Sequence, residues 1–205
     1  METLSLFDNL PGPVGRTQSD VAVSAETRNV VIFDIETQKT FQDVGGRQNM
    51  HKLMVSAAVC YSSSSDSYQH YTERNIFQLI SQLQTADCVI GFNILGFDYP
   101  VLQPYAGGVQ LRKLPTLDLM DSIYQKIGYR IGLNALANST LGLKKSADGL
   151  QAVQWYREGK LDEILKYCEQ DVRVTKELFD FGHRNGHIVY ENPNSRELIK
   201  LDVDW

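Results

Sequence analysis

The sequence predicts an α/β protein in which a mixed β-sheet is flanked by helices. Short, apolar, β-branched runs that are typical of buried strands occupy the first half of the chain. Longer segments with helical spacing of apolar residues occupy the second half. A length of 205 residues suits a single domain with a sizeable core.

Residues 1–28 are expected to form a flexible tail, and residues 29–205 the folded domain. The first segment is polar and rich in turn formers, without a sustained period. It lacks the basic and apolar regions of a secretory signal, and no apolar run approaches the roughly 18 residues of a membrane span. Three scattered cysteines do not suggest a disulfide framework and are expected to be packing residues. These observations predict a cytoplasmic protein that contacts no membrane.

The strands are expected in the following order. Residues 30–33 form an apolar run that suits a central strand buried on both faces. Residues 53–61 and 67–71 indicate a hairpin joined by a serine-rich turn. Residues 88–92 form a further strand, and residues 116–119 are expected to be the last. Apolar residues at helical spacing predict helices over residues 76–83, 122–127, 133–140, 150–158 and 161–181.

The charge balance limits the kind of nucleic-acid contact that the chain could make. Twenty basic against 25 acidic residues give a net charge of -5. This argues against a protein that holds duplex DNA mainly through a broad basic surface. Bound divalent metals can invert the charge of a carboxylate-rich site, so nucleic acid itself is not excluded.

Two carboxylates follow the first strand at a spacing of two. Because side chains alternate along a strand, Asp34 and Glu36 are expected to project from the same face. Like charges this close raise each other's pKa unless a cation lies between them, and Mg²⁺ or Mn²⁺ is the natural partner. An acidic strand end that faces solvent is the alternative for an isolated pair.

A second candidate motif follows residues 88–92, in a glycine-containing turn that carries Asn93 and Asp98. The ends of strands in α/β sheets are where ligand sites gather. Alternatively, Asp98 caps the helix that follows and Asn93 only forms the turn.

The third motif lies in the long final helix, where a spacing of four places Tyr167 and Asp171 on one face. The two side chains are expected at the edge of the apolar stripe, towards the body of the domain. An ordinary hydrogen bond between tyrosine and aspartate on a helix flank is the alternative.

Taken together, the three motifs resemble the DEDD superfamily of 3′-to-5′ exonucleases, and specifically its tyrosine-bearing branch, which includes proofreading domains of family-B DNA polymerases. The D-x-E motif matches Asp34 and Glu36, the N-x(2 or 3)-F-D motif matches Asn93 with Phe97 and Asp98, and the Y-x3-D motif matches Tyr167 and Asp171. The resemblance implies a ribonuclease H-like fold, that is, a mixed β-sheet flanked by helices.

The resemblance also implies a site that holds two divalent ions, Mg²⁺ or Mn²⁺, which activate a water and stabilise the leaving 3′-oxygen. Asp34 would bridge both ions, Glu36 and Asp171 would complete the first, and Asp98 would hold the second. Tyr167 would orient the attacking water, because an ordinary tyrosine pKa near 10 makes it a poor general base.

The implied substrate is the 3′ end of a single-stranded nucleic acid, with DNA favoured over RNA. Ile35, Thr37, Asn93 and Phe97 are the candidate substrate-binding residues, with Phe97 stacking on a base or, equally, belonging to the core. An exoribonuclease and a non-catalytic module that binds nucleic-acid ends are the alternative functions.

One tail segment resembles the peptide that bacterial replication proteins insert into the sliding clamp. Leu4, Leu6 and Phe7 would be its apolar anchors, although Thr3 stands where glutamine is usual. Packing of Leu6 and Phe7 onto the domain is the alternative.

Overall fold

The computed structural model describes residues 29–143 and 149–205. The predicted tail lies outside the described residues. Within them, the strands are β1 (Val30–Thr37), β2 (Val55–Ser62), β3 (Ser67–Thr72), β4 (Cys88–Gly91), β5 (Thr116–Asp118), β6 (His187–Glu191) and β7 (Leu198–Asp202). The α-helices in the same ranges are α1 (Ile76–Thr85), α2 (Asp98–Leu102), α3 (Leu119–Ile127), α4 (Leu133–Leu141), α5 (Gly149–Arg157) and α6 (Leu161–Asn185).

The main sheet has five strands in the order β3-β2-β1-β4-β5. β1 pairs antiparallel with β2 and parallel with β4, and β4 pairs parallel with β5. The predicted mixed sheet is therefore confirmed, with β1 at its centre.

The central position of β1 explains its unbroken apolar sequence. Val31 and Phe33 belong to an apolar cluster that includes the buried side of α1, whereas Val30 and Ile32 belong to a second cluster that includes α6. Because alternate side chains of β1 enter different layers of the core, both of its faces are covered by helices.

One strand prediction is wrong. β5 is not the last strand, because β6 and β7 form a separate antiparallel hairpin after the final helix. Its side chains alternate between partly or fully buried and more exposed positions, a pattern of one-sided burial that a search for wholly apolar runs misses.

The long helix α6 crosses β1 and β2 and brings the third motif to the sheet. Asp162 and Glu163 in its first turn complement the helix dipole, and the chain leaves the helix at Gly186, whose φ of 67° favours glycine. Its buried residues are Ile164, Cys168, Val172, Thr175, Leu178, Phe179 and Gly182. Within the described part of the chain, no helix is both long and apolar enough to span a membrane.

Candidate active site

Three carboxylates converge where α6 passes the end of β1. Asp34, Glu36 and Asp171 each offer an oxygen, and these oxygens lie within 4.8 Å of one another. The expectation that Asp34 and Glu36 share a face is confirmed, and the alternative of a solvent-facing strand end is wrong for Glu36, which is only 8% exposed. Residues far apart in sequence therefore meet at one point.

Asp98 lies close enough for its charge to act on Asp34 and Glu36, but it is not one of the three. It is 2% exposed, and its carboxylate oxygen Oδ1 accepts a hydrogen bond of 3.2 Å from the backbone N–H of Ile35. The alternative that Asp98 is the N-cap of a helix is wrong, because Phe97 holds the N-cap position of α2 and Asp98 is the first residue of the helix. The bond to Ile35 instead joins the second motif to β1, between Asp34 and Glu36.

Burial makes all four carboxyl groups weaker acids, and at Asp34 and Glu36 the charges of the neighbouring acids add to this effect. Burial, followed by the charges of Asp98 and Asp171, raises the pKa of Asp34 well above its usual value. The same three causes raise the pKa of Glu36. Burial raises the pKa of Asp98 to about 8 and that of Asp171 to about 6. The site therefore stores unfavourable electrostatic energy whenever its acids are ionised together.

Tyr167 lies beside this group, one helical turn before Asp171. Its side chain hydrogen-bonds the Asp171 carboxyl group, and its ring meets the ring of Trp155 on α5 edge-on, with centroids 6.2 Å apart. Burial and the charges of Asp171 and Glu36 raise the pKa of Tyr167 above its usual value. The phenol therefore stays protonated at neutral pH and acts as a hydrogen-bond donor.

The donor set fits a hard divalent metal ion. Within residues 29–143 and 149–205, no lysine or arginine forms an ion pair with Asp34, Glu36, Asp98 or Asp171. Buried carboxylates without a cationic partner are costly, and several carboxylate oxygens at this spacing are the ligands that such ions prefer. Asp34, Glu36 and Asp171 could hold a metal, with Asp98 next to them.

An open cleft of about 370 Å³ lies above the carboxylates. All four candidate substrate-binding residues, Ile35, Thr37, Asn93 and Phe97, line it. Phe97 lines the cleft and also packs against the core, and Phe41 meets it edge-on with ring centroids 5.9 Å apart. The cleft therefore combines an acidic floor with aromatic walls.

Helix α5 also lines the cleft, through Leu150 and Val153. An ion pair of 2.7 Å between Arg157 and Asp43 links this helix to the segment that follows β1. Neither Phe41 nor these α5 residues were found by sequence reasoning, because their role depends on a contact between distant segments.

Asp118 was also not found by sequence reasoning, although it holds the turn that carries the second motif. Its carboxylate accepts hydrogen bonds of 2.8 Å from the Asn93 N–H and 2.9 Å from the Leu95 N–H, and it also caps α3. Asn93 itself adopts a left-handed conformation with φ of 67°, so it forms the turn and also lines the cleft. An aspartate between a short strand and a helix was the available sequence signal.

The matching sequence family and the fold agree on the class of protein. Residues 31–181 match the RNase_H_2 family, which belongs to the RNase_H superfamily. The chain therefore belongs to the RNase_H superfamily and has the ribonuclease H-like fold. Members of this superfamily are typically metal-dependent nucleases, which suits the acidic cluster described above.

Among solved structures, the chain is similar to the family B DNA polymerase from the hyperthermophilic archaeon Pyrobaculum calidifontis. The similarity has a TM-score of 0.56 at 18% sequence identity and covers 77% of this chain. The chain corresponds to 24% of the polymerase chain, so the likeness concerns the fold of one part of that protein. No curated protein sequence matches this chain.

Proposed function

We propose that the protein is a metal-dependent 3′-to-5′ exonuclease that hydrolyses single-stranded DNA from its 3′ end. The observation that carries the proposal is the group of Asp34, Glu36 and Asp171, with Asp98 nearby, at a cleft of about 370 Å³ that Asp34, Glu36 and Asp98 line. A module that only binds nucleic-acid ends has no need for buried acids that repel one another.

In this proposal the four carboxylates hold two divalent ions, Mg²⁺ or Mn²⁺. When bound, the ions lower the pKa of the attacking water and stabilise the charge on the leaving 3′-oxygen. The carboxylates supply oxygen ligands and hold no proton in the working state. Tyr167 keeps its proton, and its hydroxyl orients the attacking water while Asp171 fixes the position of the phenol.

The walls of the cleft are proposed to hold the terminal nucleotide. Phe97 and Phe41 offer aromatic surface, and Leu150 and Val153 offer further apolar surface. Stacking and apolar contacts accept any base, so little sequence preference is expected. Asn93, Ile35 and Thr37 line the same space and are proposed to contact the sugar and base.

The test is the degradation of 5′-labelled single-stranded DNA and RNA of equal sequence, beside a circular DNA of the same sequence. A metal-dependent ladder that shortens from the 3′ end of the linear DNA, with the circle intact, supports the proposal. Faster loss of the RNA would make the protein an exoribonuclease, and cutting of the circle would make it an endonuclease. Binding without cleavage of any substrate would favour the non-catalytic module.

The controls test whether cleavage depends on the metal and on the group of acids. EDTA and Asp34→Ala are expected to abolish cleavage. Glu177→Gln is the matched control, because it removes an exposed carboxylate of the same helix α6 away from the group of acids. It is expected to cleave like the wild type.

A second, separate proposal concerns the tail. Leu4, Leu6 and Phe7 are proposed to insert into a groove of a sliding clamp, on the basis of the sequence pattern alone. Unchanged affinity for the clamp after deletion of residues 1–10 would refute it.

A further inference from the structure

Cys168 on α6 contacts Asp34, one of the three acids of the site. Its side chain is fully buried, and its sulfur Sγ lies 3.2 Å from the backbone oxygen of Asp34 and 3.4 Å from the carboxylate oxygen Oδ2 of the same residue. One thiol on α6 therefore touches both the main chain and the side chain of Asp34 on β1.

The thiol acts as a donor in these contacts. The backbone oxygen and the carboxylate can only accept. The Cys168 sulfur is not one of the atoms that lie within 4.8 Å of one another, so it stands outside the group of candidate ligands.

The orientation of the Asp34 side chain depends on few hydrogen bonds among the described residues. Within residues 29–143 and 149–205, the Cys168 thiol is the one hydrogen-bond donor to its carboxylate. A carboxylate that is expected to serve two ions must hold one rotamer, and outer-shell hydrogen bonds usually supply that restraint in metal sites.

We infer that Cys168 is a positioning residue, whose thiol holds the Asp34 carboxylate in the orientation that binds the divalent ion. The inference rests on the proposed function, because it assumes that Asp34 is a ligand. It adds a role for a residue that the sequence identifies only as core packing, and it makes α6 contribute to the site through Cys168 as well as through Tyr167 and Asp171.

The test is the affinity for Mn²⁺, measured on the full chain without substrate from the electron paramagnetic resonance signal of free Mn²⁺. Cys168→Ala removes the donor and is expected to weaken Mn²⁺ binding about tenfold, the lower end of the range for outer-shell partners. Cys168→Ser keeps a donor on a shorter bond and is expected to lose about threefold or less. Stronger Mn²⁺ binding by Cys168→Ser than by Cys168→Ala would show that the hydrogen bond of this residue, and not only its packing, supports metal binding.

Ile164→Val is the matched control, since Ile164 is also fully buried on α6, one turn before Cys168, and does not touch Asp34 by hydrogen bond. It is expected to bind Mn²⁺ with wild-type affinity. Nuclease activity adds a second measurement: at saturating Mn²⁺, Cys168→Ala is expected to recover most of the wild-type rate.

The outcomes distinguish this inference from the proposed function. If Asp34→Ala loses Mn²⁺ binding but Cys168→Ala retains it, or if Ile164→Val loses as much as Cys168→Ala, the inference is overturned and the metal site stands. If Asp34→Ala binds Mn²⁺ like the wild type, the proposed metal site fails and the inference fails with it.

Discussion

Replacement of Asp171 by asparagine is expected to stabilise the metal-free protein while removing most of the stabilisation that metal provides. Asp171 is one of three acids whose oxygens lie within 4.8 Å, and burial raises its pKa from 3.8 to about 6. Asparagine removes the charge and keeps an oxygen that can accept the hydrogen bond from Tyr167. The same substitution should therefore have opposite effects with and without metal.

The expected gain in stability follows from the pKa of Asp171. A tenfold change in proton affinity corresponds to about 1.4 kcal/mol, so keeping Asp171 ionised in the folded protein costs at most about 3 kcal/mol. One kcal/mol shifts the melting temperature by about 2–4 °C in a chain of this size. The variant is therefore expected to melt above the wild type in EDTA at pH 8, by at most about 6–12 °C.

The contribution of Asp171 to the free energy of unfolding decreases as pH rises. The folded protein holds the Asp171 proton more tightly than the unfolded chain does, so this group's contribution to the free energy of unfolding falls as pH rises from 3.8 to about 6. Above that range the loss is complete, and below it the two states bind the proton equally. The advantage of Asp171→Asn should accordingly be largest above pH 6 and vanish near pH 4.

The assay is thermal unfolding followed by circular dichroism, in EDTA and with Mn²⁺. At a concentration about 100-fold above its dissociation constant, an ion stabilises the folded wild type by about 2.7 kcal/mol, and the variant should gain much less. Glu177→Gln, which removes an exposed carboxylate from α6, should melt like the wild type in both buffers. A variant that melts at or below the wild-type temperature in EDTA would refute the reasoning.

Three further predictions address the turn and the tyrosine. Gly96→Ala places a Cβ 2.5 Å from the Asn93 Oδ1 atom, so it is expected to displace the Asn93 side chain, which lines the cleft, and to lower the nuclease rate by about tenfold, measured on labelled DNA. Asp118→Asn puts an amide against backbone N–H groups and should lower the free energy of unfolding by about 1–3 kcal/mol in urea denaturation. Tyr167→Phe should lower the cleavage rate about tenfold without moving the alkaline limb of the pH profile, because the phenol of the wild type is already protonated throughout.

The fold was predictable from the sequence where local patterns agree with tertiary structure. The wholly apolar run that begins β1 is buried on both faces, and the periodicity of residues 161–181 corresponds to α6. The hairpin of β6 and β7 escaped prediction because only one of its faces is well buried, so its alternation is weak.

The site was predictable to the extent that its residues lie in short motifs. The sequence brings Asp34 and Glu36 together by strand geometry, and their meeting with Asp171 is confirmed. The roles of Cys168 and Asp118 could not be predicted in the same way. Each acts on a segment that is distant in sequence, so only the packing of α6 on β1 and of the turn on β5 reveals the contact.

The spread of the site along the chain has a consequence for biosynthesis. β1 carries two of the acids near the start of the domain, whereas Asp171 lies on the last long helix. A ribosome-bound chain that has not yet released α6 cannot assemble the group, and a fragment truncated before α6 is equally incomplete. The proposed hydrolytic activity is therefore tied to the docking of α6, so a nascent chain or a fragment that lacks α6 is expected to be inactive.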